Sequence, residues 1–114
     1  MQHDNKTILL KANAAISKGD NEGFLDYCTD DTEWNFTGDI SLKGKQAVRQ
    51  WMSENYIAPP KFDVEKLIAG EDHVIAMGTI TLKGKDGKST TSPYCDVWRF
   101  RDGKMAELKA YVVG

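Results

Sequence analysis

Among the residues able to move protons, hold metals or act as nucleophiles, one carboxylate stands apart by its surroundings. Asp96 lies in Tyr94-Cys95-Asp96-Val97-Trp98, a run of strand-forming residues, and period-two spacing puts Tyr94 and Trp98 on its side of the strand. Ionising a carboxyl among aromatic rings forfeits hydration. Such a group therefore keeps its proton to higher pH and can serve as general acid or base near neutrality. The other candidates read as structural. Cys28 and Cys95 form no CxxC pair, and the only bases for a thiol, His3 and His73, fall at the N-terminus and beside a Gly70-Glu71-Asp72 turn. Two Cys and two His at these spacings match no zinc-ligand pattern, so neither a metal nor a cofactor is expected. Asp30-Asp31 reads as a solvated pair closing a helix rather than as paired acid/base carboxylates.

The elements that must position Asp96 follow from hydrophobic periodicity. Ile8, Ala12, Ala15 and Ile16 form a helical stripe, with Asp4 or Asn5 as cap and Gly19 just past the end. Asp20 caps a second short helix carrying Phe24, Tyr27 and Cys28 on one face. Thr32-Glu33-Trp34-Asn35-Phe36 alternates as a strand, and Ile40-Ser41-Leu42 reads as a short return. A third helix over 45–56 buries Ala47, Val48, Trp51 and Met52, and Pro59-Pro60 forbids its continuation. Segments 61–69, 73–83, 89–101 and 104–113 then read as a four-strand meander, punctuated by Asp86-Gly87 and Asp102-Gly103 hairpin signals. Three helices before a meander predict one α+β domain spanning 1–114, with the helices on one face of a curved antiparallel sheet.

Composition narrows the function classes. The 114 residues carry 15 Lys+Arg against 17 Asp+Glu, a formal net charge of −2, without the basic excess of a nucleic-acid binder. The polar opening Met1–Lys6 is no signal peptide, and no apolar run nears the roughly 20 residues of a membrane span. A cytoplasmic protein with reduced thiols is expected, with no nucleic-acid or membrane partner.

Order and spacing of several local patterns carry a resemblance. Gly19-Asp20, Tyr27-Cys28-Thr29-Asp30-Asp31, Leu42-Lys43-Gly44-Lys45 and Tyr94–Lys104 resemble the SnoaL-like polyketide cyclase branch of the nuclear transport factor 2-like and ketosteroid isomerase superfamily. That resemblance implies a cone-shaped, cystatin-like fold: a strongly curved sheet packed on three N-terminal helices, with an apolar pocket at one end. It also implies a homodimer associating through the outer sheet face. Of the three positions that do the chemistry in ketosteroid isomerases, the tyrosine corresponds to Ala12, the base to Phe36, and only the third survives, as Asp96. Ketosteroid isomerase activity is therefore rejected. The histidine that accompanies the aspartate in SnoaL-like cyclases has no counterpart in Leu108–Val112.

Within that fold the expected catalytic pair is Asp96 as acid/base and Tyr27 as hydrogen-bond donor. Trp34, Phe36, Trp51, Tyr94, Trp98, Leu108 and Val112 are the expected ligand contacts, their aromatics suiting a small apolar molecule. The register of the last hairpin decides Asp96's environment. A two-residue Asp102-Gly103 turn sets it opposite Lys109 as an ion pair, whereas a three-residue loop sets it opposite Leu108 on an apolar face. The apolar stripe Ala106, Leu108, Ala110, Val112 favours the latter. Two further functions compete with isomerase- or cyclase-type proton transfer: non-catalytic binding of a hydrophobic molecule, and a homodimeric interaction module working through the outer sheet face.

Overall fold

The structure, a computed structural model, describes residues 4–56 and 58–112; His3 lies outside them. Helix α1 (Asn5–Ser17) starts where the Asp4 carboxylate accepts from the Thr7 N–H at 3.3 Å and the Thr7 hydroxyl at 2.6 Å. It stops at Gly19, whose φ of +84° suits the residue after a helix end. Leu9, Ala12 and Ile16 form its buried stripe. Helix α2 (Asn21–Leu25), capped by Asp20, is shorter than the sequence suggests, and Cys28 already belongs to strand β1 (Cys28–Phe36). Thr29-Asp30-Asp31 therefore does not end a helix. It is the irregular start of β1, where the pairing register shifts between Cys28 and Glu33. Strand β2 (Ser41–Lys43) and helix α3 (Lys45–Asn55) follow. Strands β3 (Lys61–Gly70), β4 (His73–Lys83), β5 (Ser89–Arg101) and β6 (Lys104–Val112) complete the chain's elements.

The six strands make one curved, unclosed sheet in the order β2-β1-β6-β5-β4-β3. The sheet is not wholly antiparallel: β6 enters between β5 and β1 and runs parallel to β1, pairing Trp34 with Leu108 and Phe36 with Ala110. This parallel contact joins the meander to the N-terminal strands. Thr32, fully buried, reinforces it by donating its hydroxyl to the Met105 carbonyl at 3.1 Å. Helix α1 packs across β3, β4 and β6, while α2 and α3 lie over β1. Leu9, Ile16, Leu25, Val48, Met52 and Val74 fill the layer between, each hidden from solvent and each worth about 1.5–3 kcal/mol of apolar burial. No helix of the described residues is long and apolar enough to cross a membrane.

Two devices set the concave face. Asp102 and Gly103, with φ of +52° and +77°, form a two-residue turn that pairs Arg101 with Lys104. The register then shifts between Arg99 and Phe100, leaving Ala106 as an extra residue on β6. Asp96 consequently faces Ala110, neither Lys109 nor Leu108. On β4, Gly78 sits against a bulge in β3, where a Cβ would lie 1.9 Å from the Asp63 carbonyl oxygen.

Candidate active site

Strand register stacks the concave face into rows. Across β1, β6, β5 and β4 one row reads Trp34, Leu108, Trp98, Val74; the next reads Phe36, Ala110, Asp96, Ala76; the third, from β6 to β4, reads Val112, Tyr94, Gly78. Asp96 is thus flanked by two alanines in its own row and lies near a glycine in the next. These are the smallest side chains available, so they leave a depression over the carboxyl. The taller Trp34 and Trp98 wall one side, and Tyr94, in edge-on contact with Phe62 at 5.5 Å, walls the other.

The result is a cavity of about 40 Å³, lined on its other sides by Asn13 and Ile16 of α1, Tyr56 beyond α3, and Phe62 and Ile80 of the meander. That is room for about three water molecules. Among the described residues, Asp96 supplies the only carboxyl of the lining, which holds no Lys, Arg or His. Among the described residues its carboxyl makes neither a hydrogen bond nor an ion pair. Burial alone pushes its pKa up to about 7. Burial, and secondarily the Asp96 charge, also raises the Tyr56 hydroxyl above its usual range and pushes Tyr94 up to about 12. Both phenols therefore stay protonated as donors.

The expected site residues divide. Trp34, Phe36, Tyr94, Asp96, Trp98, Leu108 and Val112 all line the cavity. Trp51 does not. It stacks on the outer side of Phe36 at 4.8 Å and meets Tyr56 edge-on at 5.1 Å, so it backs the wall. Tyr27 is also absent from the lining. Because α2 ends at Leu25, residue 27 sits in the entry to β1, where its carbonyl accepts from the Met105 N–H at 2.8 Å and its half-buried ring packs on the core. It is no partner of Asp96. Asn13, Tyr56 and Phe62 were not foreseen. Asn13 looks like a solvated helix position, and Tyr56 follows the last residue of α3, so neither carries a periodic signal pointing inward.

The remaining reactive groups lie elsewhere. Cys28 is buried, and that burial pushes its thiol up to about 12, leaving it unreactive. His73 pairs with Asp72 at 2.7 Å in an exposed turn. Asp31 is held near 2 by the Arg101 guanidinium, which contacts it at 2.6 Å.

The profile of the SnoaL-like domain family matches residues 10–108. The chain belongs to this family. No curated protein sequence matches it. Among solved structures, this SnoaL-like chain is similar to an NTF2-like protein of unknown function from Burkholderia pseudomallei (TM-score 0.86, 16% identity, covering 98% of this chain and 92% of that one). It is similar also to SalBIII, described as an epoxide hydrolase/cyclase-like enzyme in pyran ring formation in salinomycin (0.87, 17%, 96% and 90%). A third is an LEH-like epoxide hydrolase of Mycobacterium tuberculosis (0.86, 14%, 96% and 82%). At such identities the likeness is one of fold, and fold alone assigns no reaction.

Proposed function

We propose that this SnoaL-like domain is a small acid/base enzyme of isomerase or cyclase type. It moves a proton within a small, neutral carbonyl compound, and Asp96 takes and returns that proton. One observation carries the reading: a carboxyl without a partner among the described residues, in a cavity otherwise lined almost wholly by aromatic and aliphatic side chains. In the ionised form, Asp96 removes a proton from the carbon next to the carbonyl. The C–H electron pair moves into the enolate, whose charge settles on the carbonyl oxygen. Asp96, now neutral, returns the proton to the same carbon or to a conjugated one. A pKa near 7 keeps both forms populated at neutral pH.

The test is exchange of α-protons for deuterium in short-chain ketones, followed by NMR in D₂O. The rate is expected to climb with pH to a plateau above about 7, and Asp96→Asn is expected to lower it about 100-fold or more. Exchange that persists in Asp96→Asn would sink the assignment. Saturable ketone binding without exchange in the native protein would favour a non-catalytic binding protein instead.

Association through the outer sheet face is a second, compatible reading, supported by the cross-strand row Met77, Cys95, Tyr111, in which Met77 and Tyr111 are 41% and 42% exposed. Sedimentation is expected to give a dimer that Met77→Lys with Tyr111→Lys converts to monomer; a native monomer at micromolar concentration removes this reading.

A further inference from the structure

Two residues of the cavity lining carry buried donors that have no acceptor among the described residues. The Trp34 indole N–H and the Tyr94 hydroxyl make no hydrogen bond with any described residue, although their side chains are only 2% and 5% exposed. Leaving a buried polar group unpaired disfavours the fold, so two on the lining of one small cavity are more than folding alone explains. Their positions are informative. Trp34 belongs to the row on one side of Asp96 and Tyr94 to the row on the other. Successive same-face rows lie about 7 Å apart along a strand. The row of Asp96 thus lies between the rows that hold the two donor residues.

We propose that the Trp34 N–H and the Tyr94 O–H each hold one oxygen of the substrate, and that the substrate is a short-chain, uncharged 1,3-dicarbonyl compound. This rests on the proton-transfer reading of Asp96 and names its substrate class. In such a molecule the acidic carbon lies between two carbonyl groups, matching a base whose row lies between the rows of the two donor residues. Losing a proton there spreads negative charge over both oxygens, and a donor at each stabilises it where it develops. The absence of Lys, Arg and His among the described lining residues disfavours a ligand that arrives as an anion. The volume of about 40 Å³ admits a short chain, whereas a fused-ring compound would have to displace core side chains.

Binding tests this separately from catalysis, with pentane-2,4-dione and pentan-2-one as probes at pH 6. The indole ¹H–¹⁵N resonance of Trp34 is expected to move on adding the dione, which is expected to bind about tenfold more tightly than the mono-ketone. Tyr94→Phe, which removes only the hydroxyl, is expected to weaken dione binding about three- to tenfold and pentan-2-one binding by less. Trp34→Phe should do the same and identifies the resonance; should it fail to fold, the native indole shift and Tyr94→Phe carry the test. Equal affinity for the two ketones, an unmoved Trp34 signal, or unaltered dione binding in Tyr94→Phe would each overturn the proposal. If the donors bind the dione as described but no proton exchanges, the catalytic reading of Asp96 fails while the donor assignment stands.

Discussion

Asp96 makes the site at a cost to the fold. An aspartate titrates near 3.8 when solvated and near 7 here, so the folded chain binds the additional proton between those values. Stability therefore declines as pH rises from about 4 to about 7, and the penalty is complete above that window. Asp96→Asn keeps the shape and removes the charge. It is expected to raise unfolding stability at pH 8 by about 2 kcal/mol, less than the whole shift converts to because the buried amide in turn lacks hydrogen-bond partners, and to change nothing at pH 3.5. Urea unfolding of both proteins at the two pH values checks this. A loss of stability at pH 8 would mean that the carboxylate has a partner. A variant that is inactive yet more stable is the expected mark of a residue retained for chemistry.

At the scale of elements, the concave face depends on small residues where strands crowd. Gly78→Ala drives a methyl into the Asp63 carbonyl oxygen of the β3 bulge and is expected to cost about 3 kcal/mol, read as a lower denaturation midpoint. Ala110→Leu instead fills the floor beside Asp96; it is expected to abolish ligand binding while the far-ultraviolet circular dichroism stays native. Much of this was legible in the sequence. The helices, the meander and the inward face of β5 follow from periodicity and turn residues, because burial acts on those patterns directly. The hairpin register shows where such reading stops. Asp102-Gly103 announces a two-residue turn, the alternation in 106–112 demands a different pairing, and both signals are true of the molecule, each at one end of the hairpin. A bulge at Ala106 reconciles them, and alanine fits either strand or bulge without declaring which. The parallel β1–β6 contact was equally silent, since residues far apart in sequence leave no local trace of pairing. Tyr27 was misplaced for a related reason: its helical spacing from Phe24 fits a longer α2, whereas the chain turns into β1 after Asp26.

Over the whole molecule, the radius of gyration of 13.3 Å is that of a compact domain of this length, while the longest dimension is 46 Å. The 13-residue β5 accounts for it, since that many residues extend about 43 Å. Its far end and the partnering end of β4 run beyond the core, with the 84–88 loop wholly exposed. Replacing that loop by Asn-Gly is therefore expected to shift unfolding stability by less than about 1 kcal/mol, measured by thermal melting. The opposite holds for β6. Being the last strand in chain order yet lying in the middle of the sheet, it is the only bridge between β2-β1 and β5-β4-β3. Until Lys104–Val112 is in place, the two half-sheets on either side of it keep open edges. Every row of the cavity passes through that strand, so no binding site exists until it docks, and β6 amides are expected to be among the last to exchange with solvent.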